Sequence, residues 1–246
     1  QGVSSAASDV YKRQPFYRGT PTVTTSTDTH EELLHLGWRP ELVTTGPVGV
    51  DPFFSPGGLK TSHPSVLAVG RQAPVKRFEM LLEQVAKARE RVPALTLTLV
   101  GSGPENERLR SWVRDHGADW VNFAGKVSRD ELRDHYRRSW LIASASLAEG
   151  WGLVLTEAAG CGTPAVASDI SGHRCSVLNG TTGLLAPVDS MSDAIADVLQ
   201  DDALRARLAD AAEARARTLT WEALAAGVLA PLWRQVVSRG ADASRS

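Results

Sequence analysis

From residue 65 onward, short apolar, β-branched runs alternate with longer segments of helical period, an order that few folds accommodate. Ser-Val-Leu-Ala-Val at 65–69 reads as a buried strand. A helix is expected over 77–92, where Phe78, Leu81, Leu82 and Val85 form one apolar stripe. The next strand is expected over 95–100, and Pro104 is expected to open a helix, where its missing N–H costs nothing. Further strands are expected at 120–123, 140–144, 164–168 and 183–186. Ser128 and Glu131 have the spacing of a capping box for a helix ending near Arg138. Later helices are expected at 153–159, 191–199, 203–217 and 221–237. Such alternation builds right-handed βαβ units, hence a parallel sheet covered on both faces. The expected fold class is α/β, a Rossmann-like, doubly wound parallel sheet spanning residues 62–220. Sheets of this kind bind ligands beyond the carboxyl ends of their strands, where the strand order reverses. The loops after Val69, Val100, Phe123, Ala145 and Ser168 are therefore the places for chemistry.

The first quarter of the chain does not follow this repeat. A strand at 21–27 and a short helix at 30–36 precede a Pro/Gly-rich stretch containing Pro52, Pro56, Gly57 and Gly58. Residues 15–61 are expected to be the remnant of an N-terminal domain and its linker, and residues 221–246 a C-terminal helix and tail. Residues 4–14 read SSAASDVYKRQ, the in-frame translation of a sequencing-library adaptor. Residues 1–14 are accordingly expected to be a disordered artefact, and the chain a fragment whose natural N-terminus lies elsewhere.

Charge and cysteine usage narrow the function. Lysine plus arginine (27) nearly cancels aspartate plus glutamate (28), so there is no net positive field to hold a nucleic acid. No apolar run approaches the ~20 residues needed to span a bilayer. Cys161 and Cys175 lack companion ligands for a zinc site and read as reduced thiols of a cytoplasmic protein.

Four clusters fall on the strand-end loops: Gly70-Arg71 with Lys76; Gly101-Ser102-Gly103-Pro104; the run Glu149-Gly150-Trp151-Gly152-Leu153 continuing to Glu157; and the run from Gly162 to Ser168. Gly150 and Gly152 let a backbone approach a ligand closely, and the helix that follows points its free N–H groups and positive dipole end at it. Glu149 in the loop and Glu157 in the helix are placed to bracket an anion and hydrogen-bond hydroxyls on either side. A nucleotide sugar has that layout of ribose, diphosphate and hexose. Arg71 and Lys76 would supply positive charge for a diphosphate leaving group. The Gly-x-Gly at 101–103 has Asn106 where a dinucleotide fingerprint needs its third glycine, so it is a poor nicotinamide site and reads equally as a tight turn.

On these motifs the chain resembles the C-terminal domain of the family-4 (group 1) retaining glycosyltransferases, which have the GT-B fold. The resemblance rests on Gly70, Arg71 and Lys76, on the glutamate pair Glu149 and Glu157 with its Gly-aromatic-Gly-Leu surround, on Gly180-Thr181-Thr182-Gly183-Leu184-Leu185, and on a linker-like stretch at 46–51. It implies transfer of a hexose from a nucleoside-diphosphate sugar with retention of configuration, without metal or other cofactor. Arg71 and Lys76 would hold the diphosphate and, with Glu149 at the hexose, form the catalytic set. Glu157 would bind the ribose, and Gly70, Gly150, Trp151, Gly152, Leu153 and Val127 would complete the donor site, the backbone at 125–127 lying near the base. The acceptor stays unidentified, the N-terminal domain is the missing partner, and the location is cytoplasmic, with relatives working at the inner membrane face. The family commonly has glycine where Arg77 stands. A nucleotide-sugar epimerase and a non-catalytic nucleotide-binding module are the alternatives.

His173 reads as a structural histidine that could also touch a sugar. The apolar face of the last helix, with Trp221, Leu224, Leu229 and Trp233, packs either on the sheet domain or on the N-terminal one.

Overall fold

Six parallel strands carry the fold: β3 (Ser65–Val69), β4 (Thr96–Val100), β5 (Val121–Gly125), β6 (Leu141–Ser144), β7 (Ala165–Ser168) and β8 (Gly183–Ala186). The computed structural model describes residues 18–243, so the expectation for residues 1–14 lies outside it. The sheet order is β5-β4-β3-β6-β7-β8, with every pairing parallel. The chain thus winds outward from β3 in one direction, returns, and winds outward from β6 in the other. That is the doubly wound order, and it opens a crevice between β3 and β6.

Period-two alternation divides the side chains between two cores. Val66 and Ala68 of β3, with Leu141 and Ala143 of β6, enter a core built with α2 (Phe78–Arg91), α3 (Asn106–Asp115) and α7 (Met191–Gln200). Leu67 and Ile142 turn to the other face, against Tyr136 of α4 (Arg129–Arg138) and Leu155 and Ala158 of α5 (Leu153–Gly160). The stripe Phe78, Leu81, Leu82 and Val85 is buried as its spacing predicts. Ser128 and Glu131 form the reciprocal capping box.

Several local expectations shift. Pro104 precedes the helix rather than opening it: the Leu109 N–H donates to Glu105 O at 2.9 Å, which makes Glu105 the N-cap, and α3 starts at Asn106. A short helix, α6 (Ser171–Ser176), follows β7 where none was expected. Asp202–Ala216 forms α8.

The described residues divide into two compact units, Val48–Trp221 and a smaller one built from residues 18–47 and 222–243. The larger unit starts earlier than the expected boundary at 62, since the 48–61 stretch is bonded into it. The Val50 N–H donates to Leu219 O at 2.7 Å. Lys60 Nζ donates to Ser139 O at 2.8 Å and Thr163 Oγ1 at 2.6 Å, and Arg137 Nε donates to Ser55 O at 2.8 Å. In the smaller unit, β1 (Thr22–Thr24) pairs in parallel with β2 (Val43–Thr45), and α1 (Thr27–His35) lies between them in sequence, capped by Ser26. The helix expected over 221–237 is interrupted: Trp221–Leu224 forms α9, a π-helical turn occupies Ala225–Leu229, and α10 runs over Ala230–Ala243. Leu224 and Val228 crowd the end of β2 at Gly46, so this segment packs within the smaller unit.

Arg77, the N-cap of α2, sits in the left-handed region at φ 49° and ψ 42°. Among the described residues it is the sole non-glycine with positive φ. That backbone costs an L-residue about 1–2 kcal/mol, against about 0.5–1 kcal/mol for the extra freedom a glycine loses on folding. Arg77→Gly is therefore expected to raise stability by about 0.5–1 kcal/mol, read as a higher urea midpoint at unchanged slope.

Candidate functional site

The loops leaving β3 and β6 flank the crevice, and those leaving β4 and β5 extend it on one side. The β3 and β4 loops touch through bare backbone. At Gly101, with φ 116°, a Cβ would lie 2.0 Å from the Gly70 carbonyl oxygen; at Gly103 one would lie 2.3 Å from that of Gln72. No side chain fits at either place, so these glycines serve the approach of two loops to each other.

Gln72, fully buried, fastens that junction. Its N–H donates to Ser102 O at 3.1 Å, its Nε2 to Gly101 O at 3.2 Å, and its Oε1 accepts from Asn106 Nδ2 at 2.6 Å. Asn106, which breaks the dinucleotide fingerprint, is thus a structural partner of the loop that carries Arg71. Gln72 was not expected from sequence: a lone glutamine between an arginine and an alanine carries no local signal.

On the other side of the crevice, Lys76 forms an ion pair with Glu149. The turn Pro74–Lys76 is itself tied to the β6 loop, the Leu147 N–H donating to Val75 O at 2.8 Å. Ser146 Oγ donates to Glu149 Oε1 at 2.8 Å and lies 3.2 Å from Ser144 Oγ, which lies 3.3 Å from His173 Nε2. The His173 Nδ1 is 2.8 Å from the Ser168 carbonyl, so it carries the proton and Nε2 accepts. Burial lowers the His173 pKa below the usual histidine value, favouring that neutral form. His173 is wholly buried and reaches Glu149 only through two serines. The neighbouring Gly172 packs directly on the Glu149 carbonyl, where a Cβ would sit 2.1 Å from the oxygen.

Glu157 lies on α5, about one turn in. Its Oε2 accepts a hydrogen bond from the Tyr136 hydroxyl at 2.8 Å. Burial raises its carboxyl pKa, while Tyr136 and Arg129 pull it back down and Asp51 pushes it up. Arg129 pairs with Asp51 and stacks over Phe53 at 4.3 Å.

Two adjoining hollows run along this edge. One, of about 550 Å³, is lined by Gly70, Arg71, the 101–104 turn, Lys126, Val127 and Leu132. The other, of about 490 Å³, is lined by Asp51, Val127, Arg129, Leu132, Leu153 and Glu157 among others. Val127 and Leu132 belong to both, so Arg71 and Glu157 face a common trough.

The structure thus brings Gly70, Arg71, Val127, Leu153 and Glu157 to the trough, with Lys76 and Glu149 paired across the β3 and β6 loops. Gly150 lies exposed in the β6 loop, and Gly152 is the buried N-cap of α5 at φ 87°. The Trp151 side chain turns away from the loop surface. Its ring is buried against Val50 and Leu219, with its indole N–H unpartnered among the described residues. A large apolar ring beside the 48–50 stretch gains more from that core than from an aqueous crevice. Tyr136 and Ser146 were also not expected; each touches a glutamate that was. Among the described residues, no three His, Cys, Asp or Glu side chains cluster as metal ligands, and no helix is long and apolar enough to cross a membrane.

Residues 51–215 match the family described as glycosyl transferases group 1. A D-inositol 3-phosphate glycosyltransferase of Kribbella flavida is 33% identical over 229 residues, covering 84% of this chain and 54% of its own. The chain spans about half the length of the curated relatives it matches. Among solved structures, sucrose-phosphate synthase from Thermosynechococcus elongatus superposes with a TM-score of 0.77 at 27% identity, covering 96% of this chain and 65% of that one. Anabaena HepE in complex with UDP-glucose superposes with a TM-score of 0.75 at 19% identity, covering 96% and 68%.

Proposed function

This chain belongs to the glycosyl transferases group 1 family, and from that premise we propose that it is the donor-binding half of a retaining, metal-independent glycosyltransferase. The observation that carries the proposal is the convergence of Arg71, Lys76, Glu149 and Glu157 on loops of the switch-point crevice and the helix after it. In this reading the nucleobase occupies the hollow beside the 101–104 turn and Val127, and the ribose hydroxyls donate to Glu157. The diphosphate meets Arg71 and Lys76, and the hexose hydroxyls reach Glu149.

The Lys76–Glu149 pair then has a task. An arriving diphosphate offers Lys76 a more highly charged partner, and the carboxylate it leaves remains held by Ser146, with lone pairs free for sugar hydroxyls. In the transfer step the bond from the anomeric carbon to the diphosphate oxygen breaks. The acceptor oxygen bonds to that carbon and passes its proton to an oxygen of the departing nucleoside diphosphate, whose remaining charge the two cations stabilise. The acceptor and the N-terminal half that binds it complete the enzyme, which we place in the cytoplasm.

Calorimetric titration of the chain with UDP, GDP and ADP tests this. UDP is the expected ligand, because relatives of this fold carry it, as in HepE with UDP-glucose. Glu157→Ala is expected to weaken that binding roughly tenfold, the scale of one hydrogen bond to a charged group. Failure of the folded wild-type chain to bind any of the three would overturn the donor-site assignment.

A further inference from the structure

Tyr136 is fully buried and is among the largest side chains so enclosed. Its single polar atom is committed to Glu157 Oε2, at 2.8 Å. The other oxygen, Oε1, has no hydrogen-bond partner among the described residues and belongs to a side chain that lines the trough. We propose that Tyr136 is a positioning residue: its hydroxyl pins one oxygen of Glu157 so that the other is presented to the vicinal hydroxyls of a ribose. This rests on the assignment of Glu157 to the ribose and adds to it the group that sets its geometry.

The tyrosine is well anchored for that work. Its ring meets Phe54 edge-on at 5.6 Å, and its carbonyl accepts from Thr163 Oγ1 at 2.6 Å. Thr163 is held in turn by Lys60. A free glutamate has three side-chain torsions to immobilise on binding, and the tyrosine fixes them during folding instead. The hydroxyl is an obligate donor, since burial keeps its pKa well above the usual tyrosine value. Only a carboxylate accepts from both the tyrosine and the ribose on separate oxygens without a proton of its own in the way. The charged and titratable groups facing Glu157 are Tyr136 and Arg129, which lower its pKa, and Asp51, which raises it along with burial; Cys161 follows on the same helix. Removing the hydroxyl therefore raises the Glu157 pKa. On acidification, its preference for ribose is then lost at a higher pH than in the wild type.

The experiment is titration of the full chain with UDP and with 2′,3′-dideoxy-UDP, in wild type, Tyr136→Phe, Glu157→Ala and the double variant, across pH 5 to 8. The wild type is expected to favour UDP by roughly tenfold, and Tyr136→Phe by about twofold, with dideoxy-UDP affinity unchanged. Glu157→Ala removes the preference, and Tyr136→Phe adds nothing on that background. A Tyr136→Phe protein that keeps the full preference, or loses affinity for both nucleotides alike, overturns the proposal. Should that variant fail to fold, Phe54→Leu, which loosens the ring and keeps the hydroxyl, is expected to reduce the preference; an unchanged preference there overturns it too. Should GDP or ADP prove the preferred ligand, its own dideoxy form replaces dideoxy-UDP in the same comparison. Failure of the donor-site assignment looks different: the wild type then binds none of UDP, GDP and ADP, or binds the preferred nucleotide and its dideoxy form equally, and the positioning role falls with it.

Discussion

An alanine at Gly172 is expected to lower stability by about 3 kcal/mol, the upper end of what overpacking costs. The added Cβ would fall 2.1 Å from the Glu149 oxygen and 2.6 Å from its carbonyl carbon, both backbone atoms that no rotamer change can move. Nor can α6 retreat freely, because the next residue, His173, is fully buried and tied to the Ser168 carbonyl. The strain must therefore pass into the β6 loop, moving Glu149 away from Lys76. The urea midpoint should fall at unchanged slope, and binding of the preferred nucleoside diphosphate should weaken in parallel. A loss under about 0.5 kcal/mol, the scale of an ordinary surface substitution, would mean that the loop yields easily and that α6 does not set the position of Glu149.

Lys76→Met is expected to weaken nucleoside-diphosphate binding roughly thirtyfold while leaving the corresponding nucleoside unaffected. The magnitude is that of a hydrogen bond to a charged group, about 2 kcal/mol, in a partly enclosed setting. The methionine matches the lysine stem as far as Cε, so packing beside Gly70, where that stem now lies, changes little. Glu149 loses its cation but retains Ser146, so the loop is expected to hold its shape. The affinity of the variant should also depend less steeply on salt, because one phosphate-facing charge has gone. Equal losses for diphosphate and nucleoside would show that the substitution distorts the trough and would remove Lys76 from the diphosphate site.

The parts of the fold legible in the sequence are those set by neighbours in the chain. The stripe at Phe78, Leu81, Leu82 and Val85, the Ser128–Glu131 capping box and the strand at Gly183–Ala186 all depend on residues within a turn or two. The alternation of strand and helix, with the right-handed rule for parallel crossovers, carried the sheet. What could not be read locally was partnership at a distance. Tyr136 and Glu157 are 21 residues apart, and Gln72 and Asn106 are 34 apart. Neither pair has a periodicity that would reveal it. Trp151 shows the converse limit. Its position between two glycines does not say where its ring goes, because the fate of an indole is decided by what lies beside it, here Val50 and Leu219. The bonding of the 48–61 stretch is hidden for the same reason. Proline and glycine mark the 52–58 stretch as a linker, while Phe54 and Lys60 are bound to residues far along the chain.

The backbone contact between the β3 and β4 loops reaches beyond stability, to how this site can diversify. Arg71 is carried by one loop and the wall beside it by the other, yet Gly70, Gln72, Gly101, Gly103 and Asn106 fit only as a set. A substitution at one of these five positions meets the unchanged others and destabilises the junction. Ligand preference along that wall should therefore evolve through Ser102, Pro104 and Lys126, whose side chains stand outside the junction. Recombination that exchanges one loop without its mate should yield unfolded progeny, so the pair is inherited as a block.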